Sequence, residues 1–203
     1  MDGTVTQLAD IDSGAVCASS PIILINTANA GWMNVGWVNW ETNQINVATS
    51  FDGFASYSVH TKAAGTLLGP AAESGTCATN NNDAVYNGTK SPGTCSGLGA
   101  KINARSMLMA RFNSISGTVG ITWHARETTD PNASNFLSSD VKFVEFTPYT
   151  YGFGTVWTVT DSQSIGNPGA PTSGAQWNPA LDYDSNGEYL VSYYDTRGLT
   201  QSG

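Results

Sequence analysis

Charge is scarce in this chain. Its 203 residues include 16 acidic and 8 basic side chains, a formal net charge of −8. The basic residues are scattered, so the clustered Lys and Arg that phosphates need are missing, and nucleic acid is excluded as a partner. The same imbalance disfavours anionic membrane surfaces and reads first as a means of staying soluble. Long apolar runs are also missing. None approaches the ~20 residues of a membrane-spanning helix, so membrane insertion is not expected. Helical patterning is almost absent, because no dozen-residue window keeps an apolar stripe at i, i+3, i+4 and i+7. There are only 3 cysteines and 2 histidines, with no CxxC spacing, which removes the usual zinc arrangements. No GxSxG, phosphate-binding loop or dinucleotide fingerprint occurs. The opening MDGTVTQLADID is acidic and polar rather than a signal peptide. A secreted chain starting this way is expected to have lost its signal or to be an internal piece of a longer protein.

What is present points to β structure. Polarity comes mainly from Asn, Ser, Thr, Gln and 22 glycines, and the aromatics include 6 Trp and 8 Tyr. Many turn formers, many β-formers and few long charged side chains predict an all-β extracellular or cell-surface domain. Cys77 and Cys95 bracket the polar stretch CATNNNDAVYNGTKSPGTC. A disulfide between them would remove about 3 kcal/mol of unfolded-chain entropy and fits an oxidising compartment. Cys17 is then free or bonded elsewhere.

The predicted strands fall into three groups. The first holds PIILINT (21–27), WMNVGWVNW (32–40), QINVATS (44–50) and SYSVHT (56–61). The second holds NARSMLMARF (103–112), TVGITWHAR (118–126), SDVKFVEFT (139–147) and TVWTVT (155–160). The third has QWNPALDY (176–183) and EYLVSYYDTR (188–197). Each group opens with a hairpin whose turn closes on glycine: Gly31, Gly117 and Gly187. The second strands then resemble one another, as VGWVNWE, VGITWHAR and LVSYYDTR show. Such self-similarity signals repeated units that bury little core alone. The units span about 21–62, 101–161 and 175–203 of a single domain or fragment. Residues 63–100 read as an inserted surface loop. Four antiparallel strands per unit fit propeller blades, and a β-sandwich is the alternative.

SFDGFASY, Ser50 to Tyr57, resembles the Asp box of sialidase-like (BNR-repeat) β-propellers, S-x-D-x-G-x-T-W. Ser50, Asp52, Ser56 and Tyr57 occupy its first, third, seventh and eighth positions. Phe54 stands where the box has glycine, with Gly53 beside it. The resemblance implies an incomplete propeller of about two and a half blades, with further chain or subunits completing it. It implies that the box is structural and lies away from any active site. It also implies, for a catalytic member, an arginine triad for the substrate carboxylate. Arg126 and Arg197 hold equivalent repeat positions and are the carboxylate-binding candidates, since a guanidinium donates two parallel hydrogen bonds. The bland reading is that they tie units together. No residue matches a Tyr–Glu nucleophile pair.

Other candidates come from the residues themselves. A glycosidase needs two carboxylates ~5–10 Å apart, and Glu41, Glu127, Glu145 and Asp195 are the available ones, with no spacing that selects a pair. Asp182, Asp184 and Asn186 followed by Gly187 open like a calcium loop, but position twelve is Tyr193 rather than Glu. No cofactor is expected apart from that calcium, and an acidic hairpin turn explains the pattern equally well. Of Trp32, Trp37, Trp40, Trp123, Trp157 and Trp177, Trp37 and Trp40 fall on opposite strand faces. One of these two is expected to point away from its core; both are sugar-stacking candidates, although tryptophans more often fill the space between blades. His60 and His124 lie on different strands with no triad partners. Asn87 and Asn132 begin glycosylation sequons. The expected function is a non-catalytic binding module for a glycan or protein. An exo-glycosidase of sialidase type completed by residues outside this segment, and a structural assembly subunit, are the alternatives.

Overall fold

The structure is a computed structural model that describes residues 18–26, 31–40, 42–67, 84–86, 102–103, 106–126, 139–159 and 176–195. Among them the strands are β1 (Ala18–Ile25), β2 (Met33–Asn39), β3 (Gln44–Ser50), β4 (Ser58–Ala63), β5 (Ala84–Tyr86), β6 (Ile102–Asn103), β7 (Met109–Asn113), β8 (Thr118–Arg126), β9 (Ser139–Thr147), β10 (Gly152–Phe153), β11 (Trp157–Thr158), β12 (Gln176–Tyr183) and β13 (Tyr189–Asp195). Every sheet is antiparallel and no described residue is helical. The chain is all-β, and no sheet closes on itself among the described residues.

Two meanders dominate. One sheet runs β1-β2-β3-β4, and the second runs β7-β8-β9-β10 with β11 also pairing β9. The β12–β13 hairpin stands as a third layer, and β5–β6 form a small separate ribbon. Ala84–Tyr86 thus gives the expected 63–100 loop a strand of its own, while Cys17, Cys77, Cys95, Asn87 and Asn132 lie outside the described residues.

Strand alternation decides what each face meets. On the first sheet Leu24, Val38, Ile45 and Val47 point inward, where they join Val119, Ile121, Trp123, Ala125, Val144 and Phe146 of the second sheet in one core. Two tryptophans clamp this interface reciprocally. Trp40 Nε1 donates to the Ser106 carbonyl at 3.1 Å, and Trp123 Nε1 donates to the Ala64 carbonyl at 2.8 Å. A buried indole N–H needs such an acceptor, since leaving it unpaired costs about 1–3 kcal/mol.

The second sheet's other face carries Gly120, Thr122 and His124, and the third layer covers it. The Tyr189 ring lies directly on Gly120, where any Cβ would overlap it. Phe143 and Tyr189 pack with centroids 5.1 Å apart. Ser139 Oγ donates to the Gln176 carbonyl at 2.6 Å, and Asn113 Nδ2 donates to the Gly187 carbonyl at 2.8 Å. Gly36 does for the first interface what Gly120 does for the second: a Cβ there would press on Leu108 and Ile22 at 3.2 and 3.4 Å. Both glycines follow valine in the aligned strings VGW and VGI.

The strand ends differ from expectation where side chains take the backbone's partners. Ser56 was expected in the fourth strand, but its N–H and hydroxyl bond Asp52, so β4 begins at Ser58. Ser106 lies before β7 rather than in it, with its hydroxyl on the His124 carbonyl at 2.6 Å. The predicted strand 155–160 is reduced to β11, because the register against β9 slips by one residue between Gly154, whose N–H still bonds the Glu145 carbonyl in step with β10, and Trp157, which pairs with Phe143.

Candidate functional site

Turns from all three layers meet at one end of the strands. The first is the β3–β4 turn. Ser50 Oγ donates to Asp52 Oδ1 at 2.9 Å and accepts from Phe54 N at 2.8 Å. Asp52 in turn accepts from Ser56 N at 2.9 Å and Ser56 Oγ at 2.6 Å. These bonds, the Ser56 hydroxyl foremost, hold the Asp52 carboxyl below its usual range. Gly53 N donates to the Gly31 carbonyl at 2.9 Å, which ties this turn to the start of β2. Phe54 has φ of 67°, a left-handed conformation that costs a side-chain-bearing residue about 1–2 kcal/mol. Its ring offsets that by burial against Trp37 and Ala48.

Beside this turn lies a continuous group of rings. Trp32 is buried, with Tyr149 4.3 Å, Phe51 5.4 Å and Phe112 5.7 Å from it between centroids. Phe51 and Tyr149 are near-parallel at 17° and 6.1 Å apart, and Tyr151 is 6.1 Å from Phe51. Tyr151 stacks on His60 at 4.8 Å, and His60 packs on Phe146 at 5.6 Å. Three of these rings face solvent: Phe51 at 44 %, Tyr149 at 62 % and Tyr151 at 43 % exposure. Tyr151 has φ of 53°, closing a tight turn with its N–H on the Pro148 carbonyl. Behind the exposed rings, Trp32 Nε1 and His60 Nε2 are buried without hydrogen-bond partners. Burial lowers the His60 pKa, which favours the neutral ring.

Elsewhere the sequence candidates separate. Trp37 and Trp40 are both buried, which corrects the expectation that one of them faces outward: Trp37 packs with Phe54 and Ala48, and Trp40 joins the main core. Glu145 pairs with Gly120 near the turn end of β8, whereas Asp195 pairs with Gln176 at the far end. They therefore form no carboxylate pair. Glu145 accepts from Thr118 Oγ1 at 3.2 Å, and that hydroxyl lies 3.1 Å from the Tyr189 hydroxyl. Burial, with the Glu145 charge adding to it, raises the Tyr189 pKa, the opposite of what a phenolate nucleophile needs. Arg126 ends β8 opposite Ser139, at the end remote from the Ser50–Tyr57 turn. Arg197, Glu41 and Glu127 lie outside the described residues.

Asp184 caps its own hairpin turn, accepting from Asn186 N and Glu188 N at 2.9 Å each and from Asn186 Nδ2 at 3.2 Å. These bonds, Glu188 N first, lower its pKa. Asp182 Oδ1 accepts from its neighbour Tyr183 N. The arrangement suits a turn, and a cation would have to compete with those donors.

Phe51, Tyr149 and Tyr151 did not stand out in the sequence. The signal available was the aromatic doublet of PYTYG in a turn, meaningful only once the sheets show that it reaches Phe51.

The chain is defined by its folding as an all-β protein of stacked antiparallel sheets. No family model, curated protein or solved structure matches it.

Proposed function

We propose that this chain is a run of blades from a sialidase-like propeller and acts as a non-catalytic, extracellular or cell-surface binding module for a glycan or protein. The observation that carries the reading is the three-layer stack. A two-sheet sandwich has one core, but here the second sheet is covered on both faces by its neighbours in sequence order. The outermost faces carry exposed apolar side chains. Ile23, at 66 % exposure, lines one with Ile25 and Val59, and Tyr194, at 65 %, lines the other with Leu190. Covering such side chains stabilises by about 1.5–3 kcal/mol each, which suits faces awaiting further blades. The bonding of Ser50, Asp52 and Ser56 also suits an Asp box. The left-handed Phe54 occupies the position where that box carries glycine.

The test pairs a glycan array with a fluorogenic sialoside. Binding without turnover is expected. Turnover that disappears in Arg126→Ala or Arg197→Ala would replace this reading with a sialidase.

A further inference from the structure

We infer that the outer face of the first sheet is an interface for a second copy of this chain, which covers it with its own β12–β13 layer in head-to-tail order. The inference names the partner for the open faces described above, and it rests on the blade reading.

The pairing registers carry it. In the first sheet, Ile23, Val35, Ala48 and Val59 pair in turn across all four strands and so share one face. In the second sheet, Phe112, Val119, Phe146 and Phe153 form the same kind of row, with Val119 aligned to Val35 in the strings VGI and VGW. That second row packs into the core shared with the first sheet. The equivalent row of the first sheet begins and ends in exposed Ile23 and Val59, with exposed Ile25 beside it. The stack also defines what would cover this row. The Gly36 face of the first sheet meets the Val119 face of the second, and the Gly120 face of the second meets the Tyr189 side of the third layer. Gly36 and Gly120 are aligned, so both contacts run in one direction. The next face in that series is the far side of the third layer, where Leu190 and Tyr194 are exposed and Tyr194 stacks on Trp177 at 5.9 Å. Two strands suffice as a cover, since β12 already lies across β7, β8 and β9. Charge permits the contact. Neither the Ile23–Val59 row nor the adjoining Ile25–Met33–Ser50 row holds a charged side chain, in a chain of net charge −8. A contact between two different faces is heterologous, so it closes into a ring or extends as a filament.

The experiment follows the molar mass of the intact chain by sedimentation equilibrium, up to about 1 mM, at low and high salt. Self-association is expected. It should strengthen with salt, which screens the repulsion between two chains of net charge −8 and leaves the apolar contact in place. Ile23→Lys and Tyr194→Lys each spoil one face, and each should weaken self-association roughly tenfold or more. Mixing the two variants should restore association, but only as a pair, since each brings the face that the other lacks. Both side chains are exposed in the single chain, so unchanged thermal midpoints will show that the variants are folded. A parent chain that stays monomeric throughout overturns the interface, and so does a mixture that stays monomeric. Tyr194→Lys associating as well as the parent also overturns it, because the first sheets would then pair with each other. Each of these failures leaves the binding reading standing, which the glycan array tests separately.

Discussion

Ser50, Asp52 and Ser56 show how a turn is fixed without core burial. Asp52 is exposed, yet its carboxylate accepts two bonds from Ser56 and one from Ser50. Its folded pKa lies below the ordinary 3.8. The stability this contributes is fully present above the unfolded value and fades as pH falls through the folded one. Asp52→Asn should therefore melt lower than the parent at pH 7, with the gap closing below about pH 4. Thermal melts at both pH values check this. Phe54 makes a sharper case, because its conformation favours glycine while its surroundings favour a ring. Phe54→Ala keeps the left-handed strain and loses the ring, costing about 3 kcal/mol or more. Phe54→Gly relieves the strain and should be the more stable of the two in urea unfolding, though still below the parent. The Ser–Asp–Ser spacing was legible in the sequence because its bonds are local. The group of rings around Trp32 was not, since Phe51 and Tyr149 are far apart in the chain and meet only through sheet packing. Trp37 and Trp40 misled for the same reason. Alternation correctly put them on opposite faces, but it cannot tell that Phe54 and the second sheet cover both.

At the scale of strands, alternation and turn glycines carried most of the information. β3, β8 and β9 run over the residues their patterns predict, because each pairs by backbone along its whole length, and β12 does so despite a bulge between Trp177 and Ala180. The errors gather where a side chain replaces the ladder, at Ser56 and Ser106, and where the register against β9 slips after Gly154. The glycines inside strands hold a lesson that composition hides. Gly36 and Gly120 have no need of positive φ; each makes room for a side chain from the neighbouring layer. Gly120→Ala should cost about 1–3 kcal/mol through overpacking against Tyr189. Adding Tyr189→Ala should recover part of that loss, giving a non-additive cycle in urea unfolding. Strictly additive losses would mean that the two residues do not touch.

At the scale of the molecule, the chain builds by apposition, each sheet lending one face to the next. Its core lies between layers rather than within any of them, which is why a repeat was visible in sequence while its ends were not. Both outermost faces expose large apolar side chains, Ile23 on one and Leu190 on the other, where Ile121 and Val144 of the inner sheet are buried. This stacking order is the claim on which the functional reading rests, and proton NMR tests it directly. The Tyr189 ring should show cross-relaxation with Gly120 Hα and shift it upfield, and the Leu108 methyls should do the same with Gly36 Hα, without the ring shift. Gly120 Hα cross-relaxing with side chains of the first sheet instead, or with neither layer, would contradict it.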